Sequence, residues 1–267
     1  MTNLSILIPT LAGRAEKARL LLDSLGQQAV AVGGVEVLIY EDAGSVPSGA
    51  KRNALLRAAR GDYLAFVDDD DAVAPGYIGR LSDAIRDARP DLVTFNVQRT
   101  INGKNRTTLI FELRNNDWSE LRGTGMYGMR ANHLSAWRRD IAVRCGFVPW
   151  IGYNDDVFWY TPMTESGLAM TEVHIPEVLY EYRWSRRDTA NQSTPASKLT
   201  KRWAAGGVEA FWYGGDIVLS AQGRDVPGNG EAMTRDRAGL RHVVGPFGQE
   251  EYVDEAELRP LCVVEAR

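Results

Sequence analysis

Three apolar runs of strand length recur in the first hundred residues, at 4–9, 35–40 and 63–67, each bounded by turn or charge signals. Stretches with apolar positions three and four apart fall between and after them, at 16–25, 50–59 and 77–89, and a fourth apolar run follows at 92–97. Strand and helix alternating at this spacing predict right-handed crossovers and an α/β fold: a mostly parallel, buried central sheet flanked by helices. Ligands of such sheets bind beyond the carboxyl ends of the strands. The pattern then changes. Residues 99–114 predict a hairpin turning at Asn102-Gly103, and a Gly-rich loop runs from Gly123 to Gly128. From residue 195 a short helix at 198–205 gives way to β-type runs separated by Gly and Pro. The expected division is a main domain at 1–197 and a small β-rich C-terminal extension at 198–267, covering the acceptor side or making an oligomer contact.

Composition narrows the class. With 267 residues the chain has room for one large α/β domain plus an appendage. At 44 % hydrophobic and 25 % charged it is neither collagen-like nor disordered. No run approaches the roughly 18 apolar residues of a membrane span. The start, MTNLSILIPT, lacks a basic n-region and a cleavage site, so a cytoplasmic protein is expected. Cys145 and Cys262 have no metal-binding spacing and read as two reduced thiols.

The residues after the strands carry the candidate chemistry. Pro9-Thr10-Leu11-Ala12-Gly13-Arg14 follows the first, Glu41-Asp42-Ala43-Gly44-Ser45 the second, and Asp68-Asp69-Asp70-Asp71 the third. Four consecutive carboxylates at a buried strand end repel one another unless a cation joins them. Hard divalent ions take carboxylate oxygens, and Mg²⁺ keeps a few of them plus substrate phosphates. The Gly123–Gly128 loop fits G-x-G-x-x-G, but it follows no buried strand, which excludes a dinucleotide fingerprint and leaves a loop bordering a sugar site.

LSILIPT, IYEDAGS and GAKRNALLRAARGDYLAFVDDDDAVAPGYI together resemble the N-terminal half of the family-2 glycosyltransferases of GT-A fold, and the wording His133-Leu followed by Arg138-Arg-Asp-Ile-Ala resembles short forms from phage and bacterial genomes. The resemblance implies an inverting enzyme that moves a sugar from a nucleotide-sugar, a UDP-sugar foremost, to a hydroxyl. It places Pro9, Thr10, Arg14, Asp42, Arg52, Asp68 and Asp69 around the nucleotide, with Asp42 at the uracil. Asp70 becomes the ligand of Mn²⁺ or Mg²⁺. Farther on, Gly152-Tyr-Asn-Asp155-Asp156-Val-Phe-Trp159 resembles the family's Glu-Asp-x-x-x-Trp segment, with Asn154 standing where Glu is usual. There Asp155, with Asp156 in reserve, is the carboxylate that takes the acceptor proton. Tyr182-Arg183 resembles the family's late Tyr-Arg, placing Arg183 on the donor phosphates. His133 and His174 read as buried or hydrogen-bonded rather than as metal ligands.

Charge bears on the acceptor. Residues 99–144 hold nine basic and four acidic side chains, and 145–182 hold six acidic and no basic ones. All seven Trp lie between Trp118 and Trp212, half of them expected in a core and the rest on a stacking surface. A glycan or protein hydroxyl is the leading acceptor. A hydroxymethylated base in DNA is the alternative, since phosphates would explain a basic segment. A nucleotide-sugar-binding module without transferase activity is the non-enzymatic reading.

Overall fold

The structure is a computed structural model that describes residues 3–115, 118–121, 123–150, 155–185, 208–213, 216–221, 240–245 and 250–260. The chain opens with β1 (Leu4–Leu11), a single 3₁₀ turn, α1 (Ala15–Val32), β2 (Val35–Asp42), α2 (Ser48–Ala58) and β3 (Tyr63–Phe66). β2 and β3 pair in parallel on either side of β1, with Leu4 opposite both Val35 and Tyr63.

The unbroken apolar runs exist because both faces of these strands are covered. Leu4, Ile6 and Ile8 pack with Tyr63 and Ala65 against α1 on one face. Leu7, Leu64 and Phe66 pack against α2 on the other. Period-two alternation therefore divides one run between two cores.

Past β3 come β4 (Ala72–Val73), α3 (Tyr77–Ala88), β5 (Leu92–Ile101), β6 (Lys104–Glu112), β7 (Ser119–Leu121), β8 (Met126–Arg130), β9 (Ala136–Arg138), α4 (Arg139–Ala142), α5 (Asp155–Glu165) and β10 (Glu172–Trp184). The sheet runs β2-β1-β3-β9-β5-β6-β8-β7, with β10 on β5 and β4. It is parallel across β2-β1-β3 and mixed beyond, so the expectation of a mostly parallel sheet holds for the first half only. The physical reason is the connections. β5 and β6 are joined by a two-residue turn, Asn102 (φ 50°) and Gly103 (φ 70°), which forces an antiparallel pair. β9 returns antiparallel between β3 and β5. Gly123–Gly128 forms the turn and first half of the β7–β8 hairpin, at the far edge of the sheet from β2. It therefore does not border the carboxyl ends of β1–β3.

A second, antiparallel sheet contains β11 (Val208–Tyr213), β12 (Asp216–Ala221), β13 (Leu240–Val244), β14 (Glu250–Asp254) and β15 (Arg259–Pro260). The extension is thus β-rich among the described residues. The helix expected at 198–205 and the boundary at 197/198 lie outside them. Cys145 is buried and disulfide-bonded, so it is not the reduced thiol expected; Cys262 lies outside the described residues. Among the described residues no helix is long and apolar enough to cross a membrane.

Candidate active site

The carboxyl ends of β1, β2 and β3 meet the N-termini of α2 and α5, and most of the charged side chains there are paired. At the end of β1 the Thr10 hydroxyl donates to Asp69 Oδ2 at 2.7 Å, and the Arg14 guanidinium donates to Asp69 Oδ1 at 2.6 Å. Pro9 sits half-buried one position earlier on the strand. At the end of β2, Asp42 Oδ2 accepts the backbone N–H groups of Gly44 (2.9 Å) and Val46 (2.8 Å). Its other oxygen is ion-paired with Lys51, whose ammonium also donates to the Thr10 carbonyl at 2.8 Å. The Lys51 hydrogen bond and those two amides pull the Asp42 carboxyl down to about 2. Asp42 thus stays ionised, stiffly oriented by its own turn.

From the first turns of α2, buried Arg52 reaches two carboxylates at once. One nitrogen donates to Asp155 Oδ1 at 2.6 Å and another to Asp68 Oδ1 at 2.8 Å. Its guanidinium lies 5.5 Å from the Phe147 ring centre and 5.9 Å from that of Phe66. Those rings belong to a cluster in which Phe147 stacks on Trp159 at 4.7 Å. Burial opposes the charge on Arg52, but Asp155, Asp68 and Asp156 outweigh it and raise its pKa. Asn53, next on α2, exchanges two 2.8 Å hydrogen bonds with the Phe147 backbone and fastens the helix to that loop.

His133 makes the second bridge. Its Nδ1 lies 2.7 Å from Asp156 Oδ2 and its Nε2 lies 3.3 Å from Asp68 Oδ2. Burial would lower the pKa of this imidazole. Asp156 reverses that effect and, helped by the hydrogen bond to Asp68, lifts it to about 9. Burial likewise opposes ionisation of Asp68 and Asp156, yet Arg52 and His133 hold Asp68 well below the usual carboxylate range, and His133 lowers Asp156. Asp155 differs. Burial and the neighbouring Asp156 raise it despite Arg52, and its Oδ2 is buried with no hydrogen-bond partner among the described residues. Asp155 and Asp156 open α5, where the helix dipole favours negative charge.

The remaining two aspartates of the run part ways. Asp71 accepts from the Tyr180 hydroxyl and from the Arg183 backbone N–H, both at 2.7 Å. Asp70 accepts no hydrogen bond among the described residues, and the Arg14 guanidinium lies 3.6 Å from it. Burial, then Asp68 and Asp69, push its carboxyl up to about 6. A divalent cation fits here. The donor is a hard, uncommitted carboxylate oxygen that its neighbours repel. Among the described residues no three His, Cys, Asp or Glu side chains converge as a metal cage, so most oxygens around such an ion would come from a bound ligand.

Residues 39–142 match the model of the family described as glycosyl transferase family 2. Over these residues the chain is similar to that family. Its fold is GT-A, as superposition on one solved structure shows. TarS 1–349 of S. aureus in complex with UDP-GlcNAc aligns at a TM-score of 0.55 and 13 % identity, over 76 % of this chain and 66 % of that one. The UDP complex of the same protein aligns at 0.49 and 16 %, over 70 % and 62 %. Mannosyltransferase PcManGT from Pyrobaculum calidifontis, in complex with GDP-Man and Mn²⁺, aligns at 0.44 and 14 %, over 75 % and 60 %. The chain therefore spans about two thirds or less of each. No curated protein matches the sequence.

Within the family 2 match lie Asp42, Arg52, Asp68, Asp69 and Asp70; Pro9, Thr10, Arg14, Asp155, Asp156 and Arg183 lie outside it. The structure nonetheless brings Thr10 and Arg14 onto Asp69, and Asp155 onto the Arg52 that holds Asp68. Arg183 lies on β10, beside Asp71. Its backbone reaches the site, while its guanidinium is half-exposed and pairs with Glu181 at 2.7 Å. Lys51, Asp71 and Tyr180 are site residues that the sequence reading gave no role. Tyr180 lies two positions before the Tyr182-Arg183 pair that drew attention, on the same face of β10 as Tyr182, so the strand's alternation was the available signal.

Proposed function

We propose that this protein is a glycosyltransferase that moves a sugar, with inversion, from a nucleotide-sugar to a hydroxyl acceptor. The observation that carries this reading is the double grip of Arg52, which ties Asp68 at the nucleotide-binding strand end to Asp155 at the head of α5. A donor-side carboxylate and a buried, unpartnered carboxylate oxygen are thereby held on one guanidinium. The acceptor hydroxyl attacks the anomeric carbon from the side opposite the diphosphate. The new C–O bond forms as the sugar–phosphate bond breaks; the electron pair leaves with the diphosphate and the proton goes to Asp155 Oδ2.

Asp42 faces the base, Thr10 and Arg14 hold Asp69 toward the ribose, and Asp70 would hold Mn²⁺ or Mg²⁺. When bound, such an ion offsets the charge that develops on the leaving diphosphate. UDP-sugars are the first donors to try, because the TarS structure that shares the fold holds UDP-GlcNAc. A non-catalytic binding module gives no reason to keep the Asp155 oxygen buried and unpaired, at a cost of about 1–3 kcal/mol.

The acceptor we favour is a glycan or protein hydroxyl rather than DNA. Much of the basic segment is consumed internally: Arg130 pairs with Glu165, Arg138 with Asp91 and Asp140, Arg139 with the Ala59 carbonyl, and Arg144 with the Asp140 carbonyl. Trp137 and Trp159 are wholly buried, which leaves Trp118, capped by Arg99 at 5.0 Å, as the exposed indole of that region. The test is release of UDP from UDP-sugars by the full chain, with and without Mn²⁺. Donor-dependent release supports the reading, and none across a donor panel contradicts it.

A further inference from the structure

Two adjacent aspartates head α5, and either has the chemistry of a proton acceptor. Their surroundings separate them. Asp155 spends one oxygen on Arg52, and its Oδ2 has no hydrogen-bond partner among the described residues. Asp156 has Oδ2 fixed by His133 at 2.7 Å. The other nitrogen of His133 faces Asp68, so the imidazole sits between two carboxylates, neither of which donates in its ionised form. Both ring nitrogens must then carry protons, which makes His133 an imidazolium.

We propose that His133 is a positioning residue: bonded at both nitrogens, it anchors Asp156 against Asp68 and so leaves Asp155 Oδ2 as the oxygen that receives the acceptor proton. The inference deepens the transferase reading and rests on it for the chemical step. The cage around the imidazole is complete from every side the structure describes: Asp68 from the end of β3, Arg52 from α2, and Asp155 and Asp156 from α5. Three carboxylates face two cations there, so a neutral His133 would leave two negative charges uncompensated at the head of α5. The side chain is buried, only 8 % of the residue being exposed, and its backbone carbonyl accepts the Phe66 N–H at 3.1 Å. The ring is therefore set by the sheet and the two acids are set by the ring. An anchored Asp156 also keeps α5 in register, since Asp155 precedes it directly.

The experiment has two arms, so that failure of the transferase reading and failure of this inference are told apart. In the first, the ¹⁵N signals of His133 in the full chain are followed with pH, in wild type and in D156N. The expected result is a doubly protonated ring at pH 7.5 in wild type, with its titration moved to lower pH in D156N. A ring that is neutral at pH 7.5 in wild type overturns the proposal without any activity measurement. In the second arm, hydrolysis of UDP-GlcNAc and UDP-glucose is measured for wild type, H133N and H133Q, each checked for folding by circular dichroism. Asparagine places its amide near the position of Nδ1 and keeps Asp156; glutamine places it near Nε2 and releases Asp156. H133Q should lose about 10–100-fold in kcat, as expected for a displaced catalytic group, with KM for the donor within about threefold and H133N falling between. Wild-type turnover in H133Q, or a KM change as large as the kcat change, overturns it. Absence of hydrolysis in wild type counts against the transferase reading, and the nitrogen titration then decides the role of His133.

Discussion

Arg52 and Asp155 meet at 2.6 Å although 103 positions separate them in the chain. The same guanidinium holds Asp68 at 2.8 Å, so one side chain joins the strand that ends in the aspartate run to the helix that carries the proposed base. Replacing it leaves the buried Asp155 and the half-buried Asp68 without their shared cation. R52A should destabilise the fold by about 3–5 kcal/mol, the usual penalty for removing one partner of a buried ion pair. R52K should recover only part of this, because an ammonium cannot reach both acids in the planar fork that a guanidinium offers. Urea denaturation of the three proteins checks the order.

Asp70 bears a charge that its neighbours resist. Its carboxyl is raised to about 6 from an ordinary value near 3.8, so the folded state holds this proton more tightly than the unfolded state. Its ionisation therefore lowers stability as pH rises from about 4 to 6, and the loss persists above. D70N should make the ligand-free protein more stable at pH 7.5, by about 1–2 kcal/mol after allowance for partial exposure. The same change should abolish the Mn²⁺-dependent part of UDP binding. UDP affinity indifferent to both EDTA and D70N would remove the metal from Asp70.

His133 gives the opposite pH dependence. Its pKa rises to about 9 from an ordinary 6.5, so its contribution to stability is complete below pH 6.5 and is lost as pH rises through 9. Wild type should lose on the order of 2–3 kcal/mol of this contribution between pH 6.5 and 9.5, and H133Q should lack that component. The difference between the two denaturation curves across pH isolates the histidine from other groups that titrate there.

Gly49 precedes Lys51 and Arg52 on α2, and a Cβ there would run into the Val148 carbonyl group. That contact is backbone, which cannot swing aside. G49A should push the start of α2 away from the 147–149 segment, and with it Lys51 and Arg52. Both stability and UDP affinity should fall, whereas G13A, which meets nothing within 4 Å, should lose far less stability. Thermal melts and calorimetric UDP titrations of the two variants make the comparison.

Much of this architecture is legible in the sequence because β1 and β3 are buried on both faces and so read as unbroken apolar runs. The Asn102-Gly103 turn is legible because both of its positions need positive φ. What the sequence does not show is the division of labour in Asp68-Asp69-Asp70-Asp71. Four identical side chains differ only through Thr10 and Arg14, Arg52 and His133, or Tyr180 and the Arg183 amide, and those partners come from 16 to 112 positions away. The reading of His133 as buried or hydrogen-bonded agrees with its place, yet its bond to Asp156 depends on how α5 approaches β3. Nor does the sequence show where the charges of the Arg-rich segment go. Composition counts charges, and Arg138 had already found Asp91 and Asp140.

The central claim is that this site transfers a glycosyl group with Asp155 as the proton acceptor. Its most direct test is single-turnover UDP release from a UDP-sugar by wild type, D155N and D156N, with UDP affinity measured in parallel. The account predicts that D155N binds UDP within about threefold of wild type but reacts about 100–10,000-fold more slowly, the range for a lost general base. D156N should be impaired much less. A large loss in D156N with near-normal D155N, or normal rates in both, would contradict it.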